Sequence, residues 1–397
     1  MMKILVQKFG GTSVSSEENR KLVVKKIKAA MDQGYSPVVV VSAMGRKGAP
    51  YATDTLLSLV EDNFKRSNPQ AIDLLMGCGE ILSTVIITED LFKENIAAVP
   101  LTGGQAGIKT NNNYNNAAIL EVTPDKLLEI VKQGKIPVVA GFQGISEDGF
   151  LTTLGRGGSD VTGAILGAAL KAEEVQIYTD VDGIMTADPR IVSEATLIQN
   201  ISYDEVFQFA DQGAKVIHPR AVEISKKYNI PLVIKNTLSD CEGTVICHYV
   251  EDNDNIITGI THMKDRVQIR VSDNNQKSYE ELFDILAEEK ISIDLINVFP
   301  KEKIFTIADY DLPKYKKIAE RINLSCSYIE SCSKIAIIGS KMRGIPGVMA
   351  KILKALTREK VEVLQTADSH MTIWCLVESK NTENAINALH KEFNLGE

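Results

Sequence analysis

Lys8-Phe9-Gly10-Gly11-Thr12-Ser13-Val14 sets a lysine just ahead of a glycine pair, between an apolar run and a helical pattern. Such a turn suits a phosphate. The glycines let backbone amides come close, the helix start adds partial positive charge, and the lysine adds a point charge. The segment is neither G-x-x-x-x-G-K-[ST] nor G-x-G-x-x-G. Taken alone it reads equally as a glycine turn with a solvated lysine; the strand–loop–helix setting favours phosphate. Gly155-Arg156-Gly157-Gly158-Ser159-Asp160 is more specific, because it joins a guanidinium fork for a carboxylate, exposed amides and an acid at a helix entrance. Tyr178-Thr179-Asp180-Val181-Asp182-Gly183-Ile184-Met185-Thr186-Ala187-Asp188-Pro189-Arg190 follows a predicted strand, where ligand sites of open α/β sheets lie. Asp180 and Asp182 would also serve as turn formers and caps. Gly213-Ala214-Lys215-Val216-Ile217-His218-Pro219 offers a second cation, Lys215, and a histidine that reads as a turn residue rather than a general base.

The elements that must position these groups alternate. Strands are predicted at Ile4–Phe9, Pro37–Ser42, Ala97–Leu101, Ile136–Ala140, Val175–Thr179 and Pro231–Lys235. Val38-Val39-Val40-Val41 has the continuous apolar character of a strand buried on both faces. Ser15 and Glu18 form a capping-box pattern for a helix reaching Gly34, and further helices are predicted at Pro124–Gln133 and Asp160–Lys171. This order implies an α/β fold: an open, mostly parallel sheet with helices on both faces.

The polar stretch 241–255 reads as a linker or an exposed turn. Beyond it, strand, helix and strand patterns recur. The first set is 266–271, 279–289, 291–298, 304–309, 314–322 and 326–330; the second is 334–338, 348–359, 361–366, 372–378 and 383–393. They read as two small ferredoxin-like βαββαβ modules. The expected domains are therefore 1–245, 256–330 and 331–397.

Bulk composition bounds the partners. The chain has 397 residues, 44% hydrophobic and 24% charged, enough for about two or three domains. A formal net charge of −8 argues against a nucleic-acid or anionic-membrane surface, and it leaves a few placed cations to overcome a negative field around anionic substrates. Six scattered cysteines without a C-x-x-C pair argue against a zinc site and fit reduced thiols. The start turns polar too soon for a signal peptide, and no apolar run reads as membrane-spanning. A cytoplasmic protein is expected.

The glycine-rich turns, with Thr179-Asp180-Val181-Asp182-Gly183-Ile184 and the Lys215 motif, occur in the order seen in aspartate kinases, and the chain resembles that family over essentially its whole length. Val41-Ser42-Ala43-Met44-Gly45 and Val139-Ala140-Gly141-Phe142-Gln143-Gly144 are also similar. The tail Gln365–Trp374 looks like the diaminopimelate-sensitive, Gram-positive type. The resemblance implies an amino-acid-kinase domain followed by two ACT modules, and transfer of the γ-phosphoryl group of Mg-ATP to the β-carboxylate of L-aspartate. That is the first step toward lysine, threonine and methionine. No fused homoserine dehydrogenase is expected, because the sequence stops with the second module.

Carried over position by position, the resemblance gives Lys8, Phe9, Gly10, Gly11, Ser42, Thr179, Asp180, Met185, Arg190 and Lys215 to the nucleotide. Thr53, Glu80, Arg156, Gly157, Gly158 and Ser159 go to aspartate, with Glu80 meeting the substrate ammonium. Lys8, Asp160 and Lys215 would be catalytic, Asp160 orienting the lysines. Mg²⁺ would bridge ATP phosphates, and no dedicated protein metal site is implied. The effector loop would be Asp273, Asn274, Asn275 and Gln276 facing Ile293, Asp294 and Asn297. Lysine, threonine and diaminopimelate all stand as effectors, and a homodimer through the ACT modules is expected. Two other readings compete: a kinase of the same fold acting on glutamate, and a non-catalytic amino-acid sensor.

Overall fold

The computed structural model describes residues 2–214, 216–248, 255–272, 277–342 and 344–396. They form two compact units: Met1–Ile184 with Leu197–Ala210 and Lys215–Asp252, and Asn253–Glu397 with Met185–Thr196 and Asp211–Ala214.

The first unit runs β1 (Lys3–Phe9), α1 (Glu17–Asp32), β2 (Tyr35–Val41), α2 (Thr53–Leu57), α3 (Asp62–Ser67), α4 (Pro69–Lys93), β3 (Ala98–Leu101), β4 (Ile108–Thr110) and β5 (Ile119–Val122). It continues α5 (Asp125–Lys132), β6 (Ile136–Ala140), β7 (Gln143–Ser146), β8 (Leu151–Thr153), α6 (Gly158–Leu170), β9 (Glu174–Thr179), β10 (Asn200–Ser202), α7 (Tyr203–Asp211), α8 (Pro219–Tyr228), β11 (Leu232–Asn236) and β12 (Thr244–Cys247). The main sheet has the order β10-β12-β11-β9-β1-β2-β6-β3, and only the β11–β12 pair is antiparallel. β1 is therefore central, and Val38 to Val41 are fully buried beside it. A smaller sheet, β5-β4-β7-β8, lies against α4 through β8.

Three sequence expectations change here. The α1 cap is Ser16, whose Oγ accepts from Asn19 N at 3.2 Å; Ser15 instead donates to Thr12 O at 2.8 Å. Such a cap contributes roughly 1 kcal/mol. The supposed linker contains strand β12, fixed because Ile246 is fully buried and Leu232 pairs with it. Finally, α4 is long and apolar enough to cross a membrane by length and composition, contrary to expectation. It packs one face on β3, β6 and β8 and carries the buried acids Asp73 and Glu80, as a core helix does.

The second unit contains β13 (Gly259–Ser272), α9 (Lys277–Glu288), β14 (Asp294–Val298), β15 (Glu302–Ala308), α10 (Leu312–Arg321), β16 (Cys326–Ile338), α11 (Val348–Arg358), β17 (Gln365–Asp368), β18 (Thr372–Glu378) and α12 (Thr382–Glu392). One six-stranded sheet, β14-β15-β13-β16-β18-β17, serves both modules. β13 and β16 are long, antiparallel and irregular in register between Met263 and Arg266, with Asp265 at φ 60°. On one side of that irregularity Val267, Ile269, Phe305 and Tyr315 form a core with Leu282; on the other Ile260, Ile335 and Ile337 join Ile352, Leu356 and Leu389. The sequence reading put 256–330 in the first module and split 326–330 from 334–338. In the fold Ile257 and Ile260 pack in the second core, and one continuous strand joins the two segments.

Candidate functional site

Lys8 sits near the carboxyl end of β1, between Val40 of β2 and Ile177 of β9. Its stem leaves the face of the sheet covered by α6, where a β-carbon at Gly163 would come within 3.4 Å of Lys8 Cβ. Its ammonium lies 2.6 Å from Asp160 Oδ1, with both side chains largely shielded. Asp160 stands in the first turn of α6, where the helix dipole favours a carboxylate. Its other oxygen accepts from His218 N at 3.3 Å. One carboxylate therefore ties β1, α6 and the entrance of α8.

Two further features stiffen this corner. Gly157 enters α6 at φ 68°, and a β-carbon there would lie 2.2 Å from the His218 ring, so only glycine fits. His218 caps α8, its Nδ1 accepting from Arg220 N at 3.3 Å, while Arg220 donates to Leu154 O at 2.7 Å. Burial holds the His218 pKa below its usual value, against the smaller opposing pull of Asp160. The histidine is engaged as a turn residue and has no free base nitrogen on Nδ1.

Glu80 comes from the middle of α4 and is 3% exposed. Its Oε1 accepts from Ala43 N at 3.2 Å, while Oε2 is buried without a partner among the described residues. Burial pushes its pKa up to about 8, against the weaker pull of the Ala43 amide. A carboxyl with one unsatisfied oxygen in a ligand cleft is a receptor for a cationic donor. Asp73, two turns earlier, accepts from Thr153 N and Oγ1, each at 2.7 Å, and from Asn115 N at 2.9 Å. It pins β8 and the Asn115 loop. Burial raises its pKa despite these bonds.

Of these groups Lys8, Glu80, Gly157 and Asp160 line one cleft of about 840 Å³. Of the residues singled out from sequence, it holds Lys8, Gly11, Ser42, Thr53, Glu80, Arg156, Gly157, Gly158, Ser159 and Asp160. It also holds Lys65, Arg66 and Asn115, which sequence reading missed, and Phe142, which the Val139–Gly144 motif contained without a role assigned to it. The adjacent cations of Lys65-Arg66, shortly after the Thr53 loop, were the available signal; Phe142 stands at φ 69° in a turn between strands.

The other expected nucleotide residues are not among the described residues that line it. The Phe9 side chain is fully buried and stacks on Tyr178 at 4.7 Å, and Gly10 N donates to Tyr178 O at 3.0 Å, so Phe9 offers a ligand its backbone alone. Thr179 and Asp180 end β9; Asp180 pairs with Arg46 at 2.6 Å. Met185 and Arg190 belong to the second unit, where Arg190 forks onto Asp188 at 2.7 and 2.9 Å. Lys215 lies outside the described residues, as do Asp273, Asn274, Asn275 and Gln276. In the regulatory sheet Asp294 pairs with the buried Lys334, Asn297 Oδ1 accepts from Gln365 Nε2 at 2.7 Å, and Ile293 packs beside the first-module core.

Comparison with known proteins fits this arrangement. The amino acid kinase family model matches residues 3–236, and an ACT domain model matches 327–391. Aspartokinase 1 of Bacillus subtilis (strain 168) is 43% identical over 402 residues, covering 99% of this chain and 100% of its own. The crystal structure of E. coli aspartokinase III in complex with lysine and aspartate (T-state) superposes with a TM-score of 0.80 at 25% identity, over 98% of this chain and 99% of that one. Aspartate kinase from Synechocystis aligns at 33% identity and a TM-score of 0.54, over 99% of this chain and 69% of that one.

Proposed function

The chain belongs to the amino acid kinase family and, within it, to the aspartokinases, and from that premise we propose how its own residues phosphorylate aspartate. It is an ACT-regulated aspartate kinase that moves a phosphoryl group from ATP to the substrate's side-chain carboxylate. The observation that carries the residue roles is the cleft in which Lys8, Glu80, Arg156 and Asp160 meet.

The acceptor carboxylate has a pKa of about 4, so it arrives ionised and needs no base. The barrier is repulsion between two anions, together with charge growing on the leaving group, and its remedy is positioning and fixed positive potential. Arg156 grips an aspartate carboxylate with its planar fork. The unpartnered Oε2 of Glu80 takes the substrate ammonium, and Thr53 and Ser159 border the same space. Lys8, held by Asp160, faces the transferring phosphoryl, and the Gly11 backbone supplies a fixed dipole beside it. Lys215 is the second phosphate cation. Thr179, Asp180, Met185 and Arg190 complete the nucleotide set.

No cluster of three metal-binding side chains occurs among the described residues, and the cleft has the carboxylates Asp54, Glu80 and Asp160. Glu80 is spoken for by the ammonium, which leaves two carboxylates. That donor number suits Mg²⁺ carried on ATP phosphates with its own waters, with Asp160 and Asp54 the side chains able to hold it. When bound it neutralises phosphate charge.

The domains proposed are a catalytic 1–245 and two regulatory modules. The modules bind an amino-acid effector near Asp294 and Asn297 and pair two chains as a dimer, in the cytoplasm. The decisive assay is aspartate-dependent ADP release, with glutamate as control, repeated with lysine, threonine and diaminopimelate in turn. ADP release with glutamate equal to that with aspartate would overturn the substrate roles.

Glu80 yields a second measurable outcome. With its pKa near 8, the free enzyme carries it protonated at pH 7. An arriving ammonium favours the carboxylate, so aspartate binding at pH 7 should release up to about one proton. Calorimetry in buffers of different ionisation enthalpy reads that release, which should fade above pH 8 and vanish in Glu80→Gln. The linkage also has a stability side. The folded pKa exceeds the unfolded value of 4.5, so this group's contribution falls as pH rises from there through about 8. Equal proton release in the wild type and Glu80→Gln would remove Glu80 from the ammonium site.

A further inference from the structure

Asp73 is fully buried in the second turn of α4, and three neutral donors converge on its two carboxyl oxygens. Thr153 gives both its N–H and its hydroxyl, each at 2.7 Å, and Asn115 gives its N–H at 2.9 Å. Burying a carboxyl is costly, and an apolar residue of similar size would serve the core at least as well. The substrate roles described above use none of these atoms.

What the donors belong to is informative. Thr153 ends β8, and the chain runs on through Leu154 and Gly155 to Arg156. Asn115 stands at φ 67°, a left-handed conformation that asparagine tolerates better than most residues, and it lines the cleft. Its loop closes over the turn before Arg156: a β-carbon on Gly155 would lie 2.7 Å from Asn116 Oδ1 and 3.3 Å from Asn115 O. Ala117 N also donates to Thr153 O at 2.9 Å, so the loop and the end of β8 are tied at more than one point. On α4 the next acid after Asp73 is Glu80, two helical turns on, about 10 Å along the axis and on the same face. Between the two acids Gly77 lets the helix approach β8 closely. A β-carbon there would meet Leu151 at 2.9 Å, and Gly77 O accepts from Gln143 Nε2 at 3.1 Å. All of these residues belong to the first unit.

We propose that Asp73 is a positioning residue for aspartate binding: by clasping Thr153 and Asn115 it fixes the spacing between Glu80, on its own helix, and Arg156, just beyond β8. The inference rests on the reading of Glu80 as the ammonium receptor and of Arg156 as the carboxylate fork. It adds what holds those two groups at one separation. Aspartate is short, so the span from its ammonium to either carboxylate varies little. A two-point grip on it works only when the two receptors stand at a matching distance. Asp73 itself touches no substrate. The Lys8–Asp160 pair is held separately, by β1, α6 and the His218 amide, so the ATP side is spared.

The test uses the full chain and steady-state ADP release. Thr153→Val removes the hydroxyl donor and keeps the backbone bond. Asp73→Asn keeps the size but turns an amide N–H toward the Thr153 N–H. A hydrogen bond to a charged group corresponds to about a tenfold change or more. Each variant should therefore raise the KM for aspartate about tenfold, with the KM for ATP within about twofold and turnover within about threefold. Thr153→Ser, which keeps the hydroxyl, should hold the aspartate KM within about twofold of wild type. Glu80→Gln supplies the other half of the test. With the ammonium contact already lost there is no spacing left to keep, so in that background Thr153→Val should shift the aspartate KM by less than about twofold. An aspartate KM unchanged in both Thr153→Val and Asp73→Asn, equal rises for both substrates, a Thr153→Ser enzyme as impaired as Thr153→Val, or full additivity with Glu80→Gln would each overturn the proposal. Failure of the underlying reading looks different, because Glu80→Gln would then itself leave the aspartate KM untouched. If Glu80→Gln raises that KM while Thr153→Val and Asp73→Asn do not, only the positioning role fails. Circular dichroism shows whether each variant folds, and should one of the two not fold, the other carries the same test. If neither folds while Thr153→Ser does, Asp73 serves stability alone and the proposal falls.

Discussion

Asp160→Asn should lower turnover about 100-fold or more, the scale of losing one preorganised electrostatic group, while the KM for aspartate stays within about threefold. The substitution keeps the shape and an oxygen for His218 N, so the α8 entrance is retained. What it removes is the charge that holds Lys8 at 2.6 Å. The lysine then has no reason to remain over the strand end, and its ammonium samples other positions during each turnover. Ground-state binding of aspartate depends on Arg156 and Glu80 and is largely spared. Steady-state kinetics settles the matter: turnover near wild type would mean that Asp160 organises nothing in the reaction.

Arg156→Lys separates the substrates. An ammonium offers a point charge where the guanidinium offers two parallel donors, and loss of a charge-assisted hydrogen bond costs roughly 1.5–3 kcal/mol. The aspartate KM should rise about 10- to 100-fold, with the ATP KM within about twofold. Gly157 fixes the direction in which Arg156 leaves the turn, since no side chain fits between it and the His218 ring. A parallel rise in both KM values would place Arg156 on the nucleotide, or on neither substrate.

Much of this site is visible in sequence because local chemistry announces it. The valine run of β2 is buried as its composition demands, and the glycines flanking Arg156 mark a turn no other residue could make. Local signals fail where distant contacts decide. Gly77 and Gly79 lower helix propensity, yet they lie inside the long α4 that carries Glu80. The stretch around Thr244–Cys247 looks like a polar linker; the open edge of β11 makes it a strand. Cys326–Glu330 and Lys334–Ile338 read as separate strands in sequence; in the fold they are one strand, and the long pairing with β13 bridges the local irregularity at Ser331, φ 55°. The bonds of Asp73 to Thr153 join residues far apart in the chain, and nothing local foretells them.

The pairing of β13 with β16 also dictates an order of events as the polypeptide is made. Ile260 faces Ile337 and Gly259 faces Ile338, so the second core is closed by a strand that leaves the ribosome before the whole first module. That early strand waits, unpaired on one side, while the intervening chain forms its own local contacts. The first module can collapse around Phe305 and Tyr315 as soon as β15 and α10 emerge. The second acquires its full set of strands only when β18 arrives, near the end of synthesis. Non-local closure of this kind is slow relative to helix and hairpin formation, so assembly should proceed from the inserted module outward, with the outer one last.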